Sequence, residues 1–153
     1  MLTNFEIMLS PLSSKVNFFS EDVRSNLKNR KALKSFIEFI FKCEKSSLRS
    51  INYIFCTDKK LREINKQYLN HDYFTDIITF NLSEPGKPII SEVYVSIDRI
   101  KENAKNIGIS YKSELHRVLF HGVLHLCGYS DKRQTDKLIM RSREDFYLLK
   151  YFG

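Results

Sequence analysis

The stretch from Ser110 to Gly128, SYKSELHRVLFHGVLHLCG, constrains the fold more than any other part of the chain. Ser110 can accept a hydrogen bond from the free amides of a first helical turn, and Gly128 can take the left-handed conformation that ends a helix. With His121 placed at zero and about 100° per residue, Leu115, Leu119, Phe120, Val123, Leu124 and Leu126 cover roughly 120° to 300° of the wheel. A helix from about Tyr111 to Cys127 that is apolar over half its circumference must be enclosed by other elements. His116 and Cys127 fall at about 220° and 240° on that wheel and read as a hydrogen-bonded buried histidine and a buried thiol. The strip left over carries His121 and His125, about 40° apart and one turn along from each other.

The elements that could enclose such a helix are legible on either side of it. Val16 to Phe19 reads as a short strand. Leu33, Phe36, Ile37 and Ile40 recur at i, i+3, i+4 and i+7, the stripe of an amphipathic helix. Ile51 to Cys56 is β-branched or aromatic and reads as a strand. Thr57 or Asp58 can cap a helix that buries Leu61, Ile64 and Tyr68. Asp76 to Leu82 reads as another strand, and Glu84-Pro85-Gly86-Lys87-Pro88 as a turn. Val93, Val95 and Ile97 alternate with Tyr94 and Ser96. A helix bearing Ile97, Ile100, Ala104 and Ile107 then stops at Gly108, and a last helix is predicted from about Thr135 to Leu149. The class implied is α+β: one domain over residues 1–153, with a small mixed sheet of about four strands, about five helices and a metal site on the long central helix.

Composition limits what such a domain does. The chain has 153 residues, enough for a hydrophobic core without covalent staples. Its three cysteines, Cys43, Cys56 and Cys127, form no CxxC pair, and their odd number argues against a disulfide framework. Met1 to Pro11 is too polar for a signal peptide, and no apolar run is long enough for a membrane span. These features predict a cytoplasmic protein without a membrane partner. The net charge of +7 attracts phosphate polyanions. Lys28 to Lys34 and Arg49 could track RNA or form a solvated face, and the mixed run Arg141-Ser142-Arg143-Glu144-Asp145 reads as surface.

Two imidazoles at i and i+4 can hold one zinc ion. Gly128 can swing the chain back after His125 and return the Asp131 carboxylate to the pair. His-x3-His-x2-Gly-x2-Asp is the metzincin spacing with Asp in place of the third His. Three protein ligands leave the fourth position of a tetrahedron open, the arrangement of a catalytic zinc. His121, His125 and Asp131 are therefore the candidate ligands for one zinc ion per chain, with no catalyst expected beyond the metal-bound water. Arg117, one turn before His121, could meet a phosphate beside the metal. H-E-x-x-H peptidases place a glutamate general base directly after the first histidine. Gly122 stands there instead, which weakens a metallopeptidase reading and leaves phosphodiester cleavage, where the metal carries more of the chemistry.

HGVLHLCGYSD, His121 to Asp131, resembles the signature of the YbeY family, bacterial endoribonucleases and rRNA maturation factors, whose pattern is roughly H-G-x-L-H-L-x-G-Y-D-H. Glu114, Leu115 and His116 match the run just upstream, and Met140 falls where that family places a methionine. Thr75-Asp76-Ile77-Ile78-Thr79-Phe80 is similar to its T-D-V-L-S-F strand, with Asn65 and Tyr68 at the familiar offsets before it. The resemblance spans about Leu61 to Leu148. It implies a single α+β domain with one zinc ion, acting on single-stranded RNA in rRNA processing and ribosome quality control. The partners implied are rRNA and the small ribosomal subunit, not DNA. Three departures from the pattern matter. Asp131 stands for the third histidine, Leu69 follows Tyr68 where the family has arginine, and Ser91-Glu92 replaces Gly-Asp. Arg117 or His71 is the candidate to replace the missing basic contact, and Thr75 and Asp76 are candidate substrate-facing residues. The rival readings are a zinc metallopeptidase and a non-catalytic ribosome-binding assembly factor with a structural zinc.

Overall fold

Alternation along the central strands decides which helices lie on which side of the sheet. The computed structural model describes residues 14–153, so the reading of Met1 to Pro11 falls outside the described residues. The elements are β1 (Val16–Ser20), α1 (Arg30–Cys43), β2 (Leu48–Cys56), α2 (Asp58–Leu69), β3 (Ile77–Asn81), β4 (Ile89–Ser96), α3 (Ile97–Ile107), α4 (Tyr111–Leu126) and α5 (Gln134–Phe152). The sheet order is β1-β2-β4-β3. β1 and β4 run parallel to β2, and β3 runs antiparallel to β4. The sheet is thus mixed, as expected, and among the described residues five helices accompany its four strands.

Tyr53 and Phe55 of β2 and Val93 and Val95 of β4 share one large core with Leu33, Ile37 and Phe41 of α1 and with Leu119, Val123 and Leu124 of α4. The intervening residues Ile54, Cys56 and Tyr94 point to the other face, into a smaller cluster with Ile78 and with Leu61 and Ile64 of α2. A period of two separates the two sets, as the pleat requires. Both faces of β4 are therefore covered, and Tyr94 and Ser96 are as buried as Val93 and Val95. Alternation in β4 thus sorts residues between two cores, not between core and solvent. β4 also ends one residue before the Val-Val-Ile pattern does. Ile97 opens α3, because the Ser96 hydroxyl accepts from Arg99 N at 3.1 Å and caps that helix.

The predicted punctuation is where the sequence puts it. Thr57 caps α2, accepting from Lys60 N at 3.2 Å. Gly108 has φ +80° at the end of α3, and Ser110 accepts from Ser113 N at 3.0 Å to open α4. Lys87 N donates to Glu84 O at 3.1 Å across the turn before β4, with Gly86 at φ +78°. α4 crosses the sheet with Leu119, Phe120, Val123 and Leu124 fully enclosed. Each such side chain contributes about 1.5–3 kcal/mol through burial. His116 is 4% exposed and its Nδ1 lies 2.7 Å from Lys112 O, a bonded core histidine. Cys127 is half-buried, and burial pushes its thiol up to about 11.

Candidate metal centre

The end of α4 builds the site. Tyr129 N donates to Leu124 O and Gly128 N to His125 O, each at 3.0 Å. These paired bonds, with Gly128 at φ +103°, form a Schellman turn. The turn sends the chain back past its own helix, and Tyr129 Oη donates to Glu44 Oε1 at 3.0 Å, tying it to the end of α1. Asp131 is thereby returned to the histidine strip. Its Oδ2 lies 3.4 Å from His121 Nε2 and 3.3 Å from His125 Nε2. One ligand atom from each of the three residues lies within 4.8 Å of the others.

The ring orientation is fixed from behind. His125 Nδ1 sits 2.9 Å from Tyr129 O. A carbonyl only accepts, so this nitrogen carries the proton and Nε2 presents its lone pair. His121 Nδ1 sits 2.6 Å from Glu144 Oε2, which imposes the same tautomer. Two imidazole lone pairs and a carboxylate oxygen thus face one another with no hydrogen-bond donor between them. A cation relieves that arrangement. Zinc bonds of about 2.0–2.1 Å give a tetrahedron whose edges are about 3.3–3.4 Å, which the two Nε2–Oδ2 separations match. The donor set fits a zinc ion.

Glu144 is the functional residue that the sequence reading placed wrongly. The run Arg141 to Asp145 reads as surface, yet Glu144 is 2% exposed. It lies on the buried stripe of α5 with Met140 and Tyr147, spaced i, i+4, i+7. That spacing was available in the sequence, but the charged neighbours masked it. Burial alone would raise the Glu144 carboxyl. The bond from His121 and the Arg117 charge outweigh this and hold it below the usual carboxylate range.

Arg117 also sits differently from the expectation. Its Nε donates to Glu114 Oε2 at 2.9 Å, its Nη2 pairs with Glu114 Oε1, and its Nη1 lies 3.2 Å from Glu144 Oε1. Asp76 Oδ2 is 3.9 Å from Nη2. Burial works against the guanidinium's charge, but these carboxylates more than restore it and hold its pKa above the ordinary value. Glu114 and Glu144 are almost wholly buried, and Arg117 pairs with both beneath the site.

The three candidate ligands open into a cleft of about 690 Å³ whose walls include His71, Tyr73, Thr75, Asp76 and Lys132. Three of the residues singled out from the sequence, His71, Thr75 and Asp76, therefore share the cleft, and Arg117 does not line it. Asp76 is raised above its usual range by burial, against the opposing charge of Arg117. The His71 and Tyr73 rings stack at 5.1 Å and 21°. Their loop is held by Asn65 Nδ2, which donates to Tyr73 O at 3.1 Å, and by the Arg62–Asp72 pair at 2.8 Å. Tyr73 is 54% exposed, an aromatic face offered to the cleft that no motif in the sequence marks. At Gly122 a Cβ would meet Ile77 Cδ1 at 3.0 Å and Thr79 Oγ1 at 3.5 Å. A side chain there points into the sheet, so the position that carries a peptidase's general base has no room for one.

Comparison with known proteins gives the family and the fold. The sequence model of the family described as Endoribonuclease YbeY matches residues 15–152. A protein of Cytophaga hutchinsonii named endoribonuclease YbeY is 47% identical over 128 residues, covering 84% of this chain and 90% of the relative. One of the same name from Flavobacterium psychrophilum is 43% identical over 127 residues, covering 83% and 90%. A solution structure of a Thermotoga maritima protein superposes with a TM-score of 0.60 at 26% identity, covering 90% of this chain and 89% of that one.

Proposed function

This chain belongs to the endoribonuclease YbeY family, and from that premise we propose that it is a zinc-dependent, single-strand-specific endoribonuclease acting in rRNA maturation and ribosome quality control. The observation that carries the reading is the convergence of His121 Nε2, His125 Nε2 and Asp131 Oδ2 at the floor of an open cleft. One zinc ion held there supplies a Lewis acid for the phosphodiester and a water acidified toward neutrality.

The chain's own residues do the rest. Glu144 and the Tyr129 carbonyl hold both imidazoles in the ligating tautomer. Arg117 offsets the buried carboxylates, and serves the substrate through that arrangement rather than by touching phosphate. Thr75 and Asp76 offer a hydroxyl and a carboxyl to the ribose of a bound strand. Tyr73 and His71 offer a stacked ring face to an unpaired base, and Lys132 offers a charge to its phosphate. Leu69 lies 42% exposed at the end of α2, so the basic contact absent there falls to Lys132 and His71. A single strand is favoured over duplex, because stacking on such a face needs a base that is already free, and Thr75 and Asp76 beside the ribose favour RNA over DNA through its 2′-hydroxyl. No helix among the described residues is long and apolar enough to cross a membrane, and a cytoplasmic location beside the small ribosomal subunit is part of the same reading.

The test is cleavage of a single-stranded RNA by the zinc-loaded chain, beside His121→Ala. Cleavage lost in the variant supports the reading. A substrate with one 2′-deoxy linkage at the scissile position separates the two routes: survival assigns the ribose hydroxyl as nucleophile, and cutting assigns water. No cleavage of any RNA by wild type with a full zinc complement would refute the enzyme and leave a non-catalytic assembly factor.

A further inference from the structure

A second cavity, of about 660 Å³, shares no wall residue with the metal cleft. It lies among the start of α1, the start of α4 and the end of α5. His116 lines it, and on α4 His116 is about 140° around the helix from His121, so the two openings face different sides. Its volume is in the range of small-molecule sites.

The walls have a consistent chemistry. Lys28, Lys101 and Lys112 line the cavity and no carboxylate does. None of the three is ion-paired among the described residues. Two of them lie over rings of the same wall: Lys112 Nζ is 5.3 Å from the Phe152 centroid and Lys101 Nζ is 6.0 Å from that of Tyr111. The His116 ring stacks on Tyr151 at 5.2 Å and 26°, which gives the cavity a flat aromatic floor. Phe152 is 45% exposed at its rim. No side chain caps the first turn of α1, and Asn29 and Ala32 of that turn also line the cavity, so the positive end of the helix adds to the lysines. Cations without a carboxylate partner among the described residues, beside aromatic rings of the same wall, suit a ligand that is anionic at one end and flat and aromatic at the other.

We propose that this cavity is a second, non-catalytic nucleotide site, holding a base against Tyr151 and Phe152 and a phosphate between Lys101 and Lys112. The ligand is a nucleotide, either free or as one residue of an RNA strand that continues away from the metal cleft. The site stands on its own residues and does not depend on the reading of the metal centre.

The experiment is titration of the zinc-loaded full chain with the four ribonucleoside 5′-monophosphates, inorganic phosphate and a short single-stranded RNA. Wild type is compared with the Lys101→Ala/Lys112→Ala double variant and Phe152→Leu, both zinc-loaded, and with His125→Ala, which lacks one of the candidate ligands. All three positions of the first two variants are at the surface, so melting temperatures should stay near that of wild type. Mononucleotide binding in the millimolar range or tighter, weakened about tenfold or more by the double-lysine variant and unmoved by His125→Ala, supports a site for a free nucleotide. Binding of RNA alone, weakened to the same extent by the double-lysine variant, supports the strand. Phe152→Leu should reduce nucleotide affinity without changing that for phosphate, and phosphate binding as tightly as the nucleotides would overturn the base-binding half. Binding that ignores the lysine changes, or that follows only His125, overturns the site.

Discussion

Substituting Glu144 tests how the metal centre is held, because that carboxylate reaches the candidate ligands through His121 alone, its other close partners being Arg117 and Arg141. Glu144 Oε2 lies 2.6 Å from His121 Nδ1, and Glu144 is 2% exposed, so water does not compete for the bond. A hydrogen bond to a charged, shielded carboxylate contributes about 1.5–3 kcal/mol. At about 1.4 kcal/mol per decade, its loss corresponds to roughly 10–100-fold in zinc affinity, the range expected for a carboxylate behind a metal-bound histidine. Glu144→Gln keeps an oxygen that can accept from Nδ1 and loses only the charge, so it belongs near the tenfold end. Glu144→Ala leaves Nδ1 without its partner and belongs near the hundredfold end. Arg117 keeps Glu114 in both variants, which limits the loss of fold stability. The assay is competition for zinc against a chelator of known affinity, with circular dichroism to verify that each variant is folded. Affinities of both folded variants within twofold of wild type would refute the coupling through His121.

Four further outcomes are expected. Asp131→Ala should lose zinc, whereas Asp131→His should retain about one ion per chain by elemental analysis, since a third imidazole is also a competent donor. Gly122→Ala should destabilise the fold: its Cβ would press on Ile77 Cδ1 at 3.0 Å, an overpacking cost of about 1–3 kcal/mol set against the roughly 1 kcal/mol that alanine gains in a helix, and a melting temperature at or above wild type would contradict that packing. Tyr73→Ala should raise KM for single-stranded RNA by about tenfold with little change in kcat, and Tyr73→Phe should restore most of it; equal effects of the two would remove the stacking role. His116 is held below its ordinary pKa by burial, so the unfolded chain takes up its proton first as pH falls. Its contribution to stability is complete above about pH 6.5 and is lost below it. His116→Phe, with zinc chelated in both proteins, should therefore lose less stability than wild type between pH 7.5 and pH 5.5, and equal losses would contradict the assignment.

What could be read from the sequence follows from what depends on near neighbours. The helix-ending role of Gly128 and the caps Thr57 and Ser110 are set within a few residues, and the structure has them as expected. The gathering of His121, His125 and Asp131 was legible for the same reason, since one helical turn and one glycine bring them together. Glu144 was not, because its partner lies on another helix, 23 residues away in sequence, and a carboxylate amid arginines looks like surface. Arg117 was placed on the right strip of α4 and expected to meet a phosphate. Its pairing with Glu114 follows from the helical period, but Glu144 and Asp76, which also surround it, come from α5 and from the entry to β3. The His71–Tyr73 stack is local, but its exposure depends on Asn65 and Arg62 holding the loop, which the one-dimensional pattern does not express.

These contacts make the metal centre and the packing of α5 a single unit. α4 supplies two of the candidate ligands, the segment after the Schellman turn supplies the third, and α5 closes the circuit by setting the His121 ring. A cation that binds the three ligands favours the folded arrangement by RT ln(1 + [L]/Kd), about 4 kcal/mol at a thousandfold excess over Kd. Part of that energy is delivered to the α4–α5 interface through Glu144, since a ring fixed by an ion also fixes the carboxylate behind it. Zinc should therefore slow amide exchange around Glu144 as well as around Gly128 to Asp131. Protection confined to the turn would mean that the ion orders the loop alone and that α5 positions the histidine without being held by it in return.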